Sequence, residues 1–530
     1  MTQGDETQRQ GEMHPTRWGD PGRATDLSGS ARALMERAYG LDDRPARGPA
    51  ELPLPALSGA ALDALRAVVG GAAVLTDDAT RRLRTRGKST PDLLRARDGD
   101  LSDAPDAVVR PADSGQIAAV LAWAVDRHVA VVPFGGGTCV TGGLTARREG
   151  YAGVVSLDLV RMKRLLDVDR VSMLATLEPG LRGPEAEALL AAEGLTLGHF
   201  PQSFEYATIG GFAATRSSGQ SSAGYGRFDA LVMGLRVVTP RGDVVLGRAP
   251  ASAAGPDLRQ LFLGSEGAFG VITAVTVRVR PLPTAKLYEG WRWPSFAEGV
   301  DGVRTLAQAG VLPTVIRLSD EAETALNLAR PDQIGGQGPG GCLMITGYEG
   351  EPGPVATRRT AVSAVLAGLG ADPLGEDPGR AWARGRFDAP YLRDSLLDVG
   401  ILVETVETAA FWSAVPGLYR AVTAALRGSL GAGTLVLCHV SHVYETGCSL
   451  YFTVVQRCGA DPLSRWYAAK SAAGDAIVAA GGTITHHHAV GTDHKPWFAQ
   501  EIGPVGVSVL RAVKADLDPT GILNPGVLIP

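Results

Sequence analysis

The chain is expected to fold as an α+β protein of two principal domains, and three observations predict this. Its 530 residues exceed what a single hydrophobic core usually serves. Helix, strand and loop signals follow one another in quick order in both halves of the chain. Two glycine-rich turns, Pro133-Phe134-Gly135-Gly136-Gly137-Thr138-Cys139 and Pro201-Gln202-Ser203-Phe204-Glu205-Tyr206-Ala207-Thr208-Ile209-Gly210-Gly211, each leave an apolar strand. Turns of this kind bring bare backbone N–H groups up to one long phosphorylated ligand from two sides.

The elements follow in order. Residues 1–50 are rich in Gly, Pro, Arg and Asp and are expected to form a flexible arm with one helical segment, Ser30 to Tyr39. A compact domain spans 51–283 with its core at 101–283. Behind an Asp113 cap, Ile117, Val120, Leu121 and Ala124 recur at helical spacing, and Val129 to Val132 reads as a buried strand entering the first glycine loop. Gly153 to Leu159, Met173 to Leu177, Leu231 to Thr239 and Gly270 to Val279 read as strands, and Gly183 to Glu193 as a helix. After Pro281 to Pro283 the texture changes, marking a cap domain over 284–475. Its helices are expected at Pro294 to Gln308 and Pro354 to Leu369, its strands at Gly340 to Tyr348 and Gly447 to Val455. A C-terminal segment, 476–530, is expected to return to the ligand and complete the site. No internal repeat of solenoid type is present.

Composition narrows the function. With 45% hydrophobic, 20% charged and 6% aromatic residues, 68 Gly and 34 Pro, this is an ordinary globular chain with many turns. A net charge of −5 without a basic block gives no general attraction to nucleic acid or anionic lipid. The five cysteines, Cys139, Cys342, Cys438, Cys448 and Cys458, form no C-x-x-C pair, which suits a reducing compartment and disfavours thiolate zinc. The N-terminus lacks an apolar signal core, no stretch has the ~18 apolar residues of a membrane span, and Val527-Leu528-Ile529-Pro530 is not a Ser-Lys-Leu type address. A cytoplasmic location is expected.

The first loop is not G-x-G-x-x-G, because Gly137 is followed two positions on by Cys139 and then by Val140 where the third glycine would stand, and no G-x-x-x-x-G-K-[ST] is present, which disfavours Rossmann and P-loop sites. Two further runs, Thr215-Arg216-Ser217-Ser218-Gly219 and Gly264-Ser265-Glu266-Gly267-Ala268-Phe269-Gly270-Val271-Ile272, join the two turns. Together the four segments resemble the FAD domain of the vanillyl-alcohol oxidase superfamily, the PCMH-type FAD domain, over 101–283. The resemblance implies that Pro133, Phe134, Gly135, Gly136, Gly137, Thr138 and Cys139 cradle the pyrophosphate of FAD. It implies that Gln202, Ser203 and Thr208, with Gly210 and Gly211 and then Thr215, Arg216, Ser217 and Ser218, line the middle of the cofactor. Glu266, Gly267, Gly270, Val271 and Ile272 hold its adenosine part or nearby backbone. The glycine loops contain no His, so FAD is expected to be non-covalent.

The ending Asp518-Pro519-Thr520-Gly521-Ile522-Leu523-Asn524-Pro525-Gly526 is like that of glycolate and D-lactate dehydrogenases, which sets an alternative: an FAD-linked dehydrogenase or oxidase of a 2-hydroxy acid. Those enzymes carry a His-x-Gly-Asp-Gly-Asn-x-His strand, whereas His442-Val443-Tyr444-Glu445-Thr446-Gly447-Cys448-Ser449-Leu450-Tyr451-Phe452 stands here, so no metal is expected. The chain is instead similar to the alkylglycerone-phosphate synthase family. The likeness lies in Thr16-Arg17-Trp18-Gly19, Pro313 to Asp320, Tyr391-Leu392-Arg393-Asp394, Glu404 to Ala409 with Trp412, and Thr485-His486-His487-His488-Ala489-Val490-Gly491. That resemblance implies exchange of the acyl group of an acyl-dihydroxyacetone phosphate for a fatty alcohol, with flavin N5 trapping the substrate carbon. It also implies a homodimer with peripheral membrane contact, while the charge leaves no nucleic-acid partner expected. A flavin-binding protein without activity is the remaining class.

By the same resemblance Tyr444 is the acid/base, which needs neighbouring cations to lower its pKa from about 10; otherwise it is an ordinary strand tyrosine. His486, His487 and His488 are expected at a strand end, supplying positive charge and proton transfer. Arg393 is expected to bind the substrate phosphate or carboxylate, or to form an ion pair with Asp394. Arg317 lies near the flavin or the histidines, or in a buried ion pair. Gln202 stands where the family has Asp, Ala489 where it has Gly, and the run after Tyr444 is less aromatic, departures that bear on the lipid substrate.

Overall fold

The computed structural model describes residues 11–24, 26–47, 51–145, 147–326 and 340–530. Its first sheet has four strands in the order Val74–Leu75, Ala107–Val109, Gly153–Asp158, Val129–Phe134, the last three parallel. Helix Ser114–Arg127 makes the crossover. Its Asp113 side chain accepts from the Gln116 N–H at 2.9 Å, and Ile117, Val120, Leu121 and Ala124 pack as the periodicity predicts. A second, antiparallel sheet runs Leu165–Asp169, Leu174–Leu177, Val271–Arg278, Val232–Thr239, Gly242–Leu246. The strands expected in this half all form, with ends shifted by a residue or so.

The cap is one antiparallel sheet of seven strands, Asp372–Gly375, Ala285–Trp293, Cys342–Gly350, Val315–Ser319, Leu435–Val440, Gly447–Arg457, Ile401–Phe411. Helices Phe296–Gln308, Pro352–Gly368, Val415–Leu430 and Pro462–Ala479 supply apolar side chains to the core on one face. The pleat sorts side chains with a period of two. Val436, Cys438, Val440, Leu450, Phe452 and Val454 enter that core, while Leu435, Leu437, His439, Tyr451, Thr453 and Val455 face the opposite side, towards the flavin domain.

Three expectations are corrected. Residues 11–47, where described, are not a free arm: Glu12 pairs with Arg84 at 2.7 Å, Lys88 Nζ donates to the carbonyls of His14 (2.5 Å) and Pro15 (3.3 Å), and Trp18 N–H donates to Asp394. Buried cations and a carboxylate elsewhere in the chain take up the backbone that the composition left looking loose. The boundary at 475 falls inside helix Pro462–Ala479, which packs on helix Val415–Leu430 and belongs to the cap. The histidines lie in bends outside any strand. The C-terminal segment does return: Val131 N–H donates to Ile522 O at 2.8 Å and Asn524 N–H to Val131 O at 2.9 Å, beside the first glycine loop.

Candidate active site

A cavity of about 450 Å³ opens between the two domains. The flavin-domain loops form one wall. A Cβ on Gly136 would stand 2.0 Å from Tyr206 O, and one on Gly135 2.4 Å from Thr208 Oγ1, so the two glycine turns touch backbone to loop and admit no side chain there. Among the described residues the backbone N–H groups of Gly135, Gly136, Gly137 and Thr138 donate to no protein atom, and they line the cavity. Bare N–H groups in a Gly-rich cradle fit a pyrophosphate.

Of the expected cofactor residues, Pro133 to Cys139, Gln202, Ser203, Thr208, Gly210, Gly211, Thr215, Ser217, Ser218, Glu266, Gly267, Gly270, Val271 and Ile272 all reach this wall. Arg216 does not. Its backbone is left-handed (φ 52°) and its guanidinium turns back to Leu263 O (3.0 Å), Gln260 O (2.9 Å) and Asp229 (3.4 Å), stapling the loop in place. The Glu266 carboxylate grips the C-terminal segment, accepting from Val490 N–H at 3.1 Å and Gly491 N–H at 3.0 Å; burial pushes its pKa up to about 7 against the pull of those donors.

The histidines are held from the other side by Glu407, a residue the sequence reading quoted but did not place in the site. Its buried carboxylate accepts from the backbone N–H of His486 (2.8 and 3.0 Å), His487 (3.2 Å) and His488 (3.0 Å) and from Thr485 Oγ1 (2.5 Å). Three successive N–H groups pointing at one anion form a nest, which is why the segment bends. Burial opposes ionisation of Glu407, but the imidazoles and these donors outweigh it and hold the carboxyl well below its usual range.

This cradle aims the imidazoles into the site. Tyr444 Oη lies 2.6 Å from His486 Nε2, and His486 Nδ1 lies 3.0 Å from His487 Nδ1. Two proton assignments satisfy both contacts: Tyr444 donates to Nε2 and His486 Nδ1–H donates to His487, or the chain runs in reverse; the first leaves Nε2 able to accept the phenol proton. The expectation that the histidines carry positive charge is corrected. Burial and mutual repulsion push His486 and His442 well below their usual pKa; burial lowers His487, and takes His488 to about 3. Positive charge beside Tyr444 comes from Arg227, a residue with no sequence signal, whose Nε is itself paired with Asp229 at 3.0 Å. Burial raises the Tyr444 pKa and Arg227 only moderates it, so the phenol is protonated at rest, against the sequence expectation. His487 and His488 line the cavity; Tyr444 and His486 stand behind that lining, with Tyr444 touching Ser218 of the wall.

Arg317 reaches the cavity but is bound to Glu323 and lies 3.0 and 3.1 Å from the two ring nitrogens of His439, which stacks on Tyr451 at 4.9 Å. The strand alternation at 435–440 and 447–457 could have found His439 and Tyr451. Arg393 also lines the cavity, with Nε and Nη2 on Asp394 Oδ1 (3.2 and 3.1 Å) and Nη1 on Lys88 O (2.7 Å). Beyond it an apolar arm is lined by Leu392, Leu396, Val403, Leu435, Leu437 and Val455, and closed by Leu27, Ala31 and Met35 of the N-terminal segment.

Comparison with known proteins agrees with this geometry. Residues 105–247 match the model of an FAD binding domain and residues 282–528 that of the C-terminal domain of FAD linked oxidases. The chain is 34% identical over 503 residues to the alkyldihydroxyacetonephosphate synthase of Trypanosoma brucei brucei (90% of this chain, 82% of the relative). It is 34% identical over 481 residues to that of Dictyostelium discoideum (86% and 78%). A solved alkyldihydroxyacetonephosphate synthase superposes with a TM-score of 0.83 at 29% identity, covering 97% of this chain and 98% of the other. A two-part FAD site, a Tyr444–His486–His487 relay and identity at this level across both domains lead to one assignment: the chain belongs to the alkyldihydroxyacetonephosphate synthase family.

Proposed function

We propose that this protein exchanges the acyl group of an acyl-dihydroxyacetone phosphate for a fatty alcohol, forming an ether bond without net oxidation. The observation that carries the reading is the joining, in one cavity, of the flavin loops, the imidazole relay and an apolar arm. Alkyl and acyl chains need such an arm; a small 2-hydroxy acid does not. Bound FAD supplies the nucleophilic ring nitrogen for the substrate carbon.

The protein's own part is proton handling and positioning. The Tyr444 hydroxyl proton passes to His486 Nε2, leaving a phenolate that Arg227 stabilises, and the phenolate Oη then takes the proton of the reacting carbon. Neutral imidazoles are suited to this, because an imidazolium has no lone pair to accept with. The His486 Nδ1 proton can then move on to His487, which faces the cavity where the carboxylate departs. The leucines of the apolar arm exclude water from that step.

The test incubates the purified yellow protein with acyl-dihydroxyacetone phosphate and labelled hexadecanol. A panel of D-2-hydroxy acids with an artificial electron acceptor runs in parallel. Label in an ether lipid with no acceptor reduced supports the proposal. Acceptor reduction by a hydroxy acid with no ether product overturns it.

A further inference from the structure

Among the described residues three arginines line the cavity, and two have their guanidinium groups committed: Arg393 to Asp394 and the Lys88 carbonyl, Arg317 to Glu323 and His439. Arg386 differs. Among the described residues it makes no ion pair with a carboxylate, and its Nη1 is shielded from solvent with no hydrogen-bond partner. Its guanidinium lies 5.0 Å from the Phe200 ring centroid, 4.9 Å from Phe387 and 5.8 Å from Trp382. It also reaches the Tyr288 hydroxyl, which itself donates to Glu349 at 2.5 Å. The nearby Asp388 and Glu205 are taken by Arg23.

Two more shielded atoms on the same stretch of wall lack partners, Gln202 Nε2 and Gln220 Oε1. The three side chains are tied together, because Gln220 Nε2 donates to Arg386 O at 2.9 Å and to Gln202 Oε1 at 3.4 Å. A cation fixed between aromatic faces without a counter-ion, beside an unsatisfied amide donor and an unsatisfied acceptor, is an incomplete hydrogen-bond set. Leaving it incomplete is costly in a site that excludes water. An oxyanion with several acceptor oxygens completes it, and Gln220 Oε1 suits the remaining proton of a hydrogen phosphate.

We infer that Arg386, with Gln202 and Gln220, is the receptor for the phosphate monoester of the substrate headgroup, the part first expected of Arg393. This rests on the alkyl-exchange reading for the identity of the headgroup. The flavin pyrophosphate is not a competing occupant, since the bare N–H groups at 135–138 of the flavin domain provide for it. Arg386 belongs to the cap and is held over the loop at Phe200 to Phe204, where Phe204 stacks on Phe387 at 5.6 Å.

The experiment uses the holoenzyme and its Arg386→Gln, Arg386→Lys and Gln220→Leu variants, each first matched to the parent in flavin content. Equilibrium dialysis with labelled inorganic phosphate measures the anion site alone; steady-state kinetics compare acyl-dihydroxyacetone phosphate with acyl-dihydroxyacetone. The parent is expected to bind phosphate and to prefer the phosphorylated substrate. Arg386→Gln should weaken phosphate at least tenfold and raise KM for the phosphorylated substrate by a similar factor. Its kcat should stay within about threefold of the parent, and its KM for the unphosphorylated substrate should not change. Arg386→Lys should fall between, and Gln220→Leu should raise the same KM about threefold, which keeps the test open if Arg386→Gln does not fold. A parent that binds no phosphate, or an Arg386→Gln protein with the parent's phosphate affinity, overturns the inference. A parent that makes no ether product but loses phosphate on Arg386→Gln overturns the alkyl-exchange reading and leaves the anion site standing.

Discussion

Replacing Glu407 by Gln removes a charge while keeping the shape of the side chain, and the structure sets the cost. Glu407 Oε1 accepts from Thr485 Oγ1 and from the N–H groups of His486, His487 and His488, while Oε2 takes the shorter 2.8 Å contact with His486 N–H. In the better of its two orientations, Gln puts its oxygen at the Oε1 position and its NH₂ against His486 N–H. One buried donor then faces another, at about 2 kcal/mol, and the three other bonds each weaken by roughly 0.5–1 kcal/mol as the acceptor loses its charge. The sum, about 4 kcal/mol, corresponds to roughly a thousandfold easier opening of the segment. Amide exchange followed by mass spectrometry on peptides covering 483–492 reads that opening directly. At least hundredfold faster exchange is expected there, with exchange in strand Gly153–Asp158 unchanged and kcat down by at least tenfold because the imidazoles lose their aim. Exchange within threefold of the parent would refute the claim that this carboxylate sets the geometry of the histidines.

Other perturbations probe separate parts of the machinery. Tyr444→Phe should keep flavin and fold but lower kcat about 10²–10⁴-fold, the usual worth of a positioned acid/base; an active Phe variant would show that the proton is handled elsewhere. Gly136→Ala should abolish flavin retention through loop displacement, since its Cβ would meet Tyr206 O at 2.0 Å; the ratio of flavin absorbance to protein after gel filtration measures this. Lys88 has its pKa pushed down to about 8, first by burial and then by Arg393, against the attraction of Asp394. The folded protein therefore holds fewer protons on this residue than the unfolded chain between about pH 8 and its ordinary 10.5, and stability rises with pH across that window. Relative to Lys88→Met, the parent should gain up to about 3 kcal/mol between pH 7.5 and 10.5 in chemical unfolding; parallel curves would refute the shift.

What the sequence revealed and what it hid have physical causes. Glycine turns were legible because close backbone approach admits only Gly, and Gly135, Gly136 and Gly137 sit at the wall as expected. The helix after Asp113 was legible from its cap and its spacing. The cap strands Val315–Ser319, Ile401–Phe411 and Leu435–Val440 were not, because each has one face in the core and the other lining a cavity, and Ala285–Trp293 was not because its second face is covered by helix Asp377–Gly385, which blurs the alternation in all four. The histidine run looked like a strand end because local pattern cannot show that a carboxylate 79 residues away takes its N–H groups. Arg227 and Arg386 carried no signal at all, since an arginine's role depends on whether a carboxylate stands opposite it in space.

The two buried glutamates that hold the C-terminal segment explain why the site needs both domains. Glu407 comes from the cap sheet and Glu266 from the flavin domain, and between them they bind the N–H groups of five residues from His486 to Gly491. The same design gives opposite electrostatics. Glu407 has three N–H donors, a hydroxyl and adjoining imidazoles and stays ionised, while Glu266 has two N–H donors in an equally buried place and rises to about 7. Below neutral pH the grip of the flavin domain on Val490 and Gly491 therefore weakens first, and the grip of the cap on the histidines persists. The relay is accordingly held by the cap, which keeps Tyr444, His486 and His487 in register, and the flavin domain's part is to bring its cofactor and Arg227 to them.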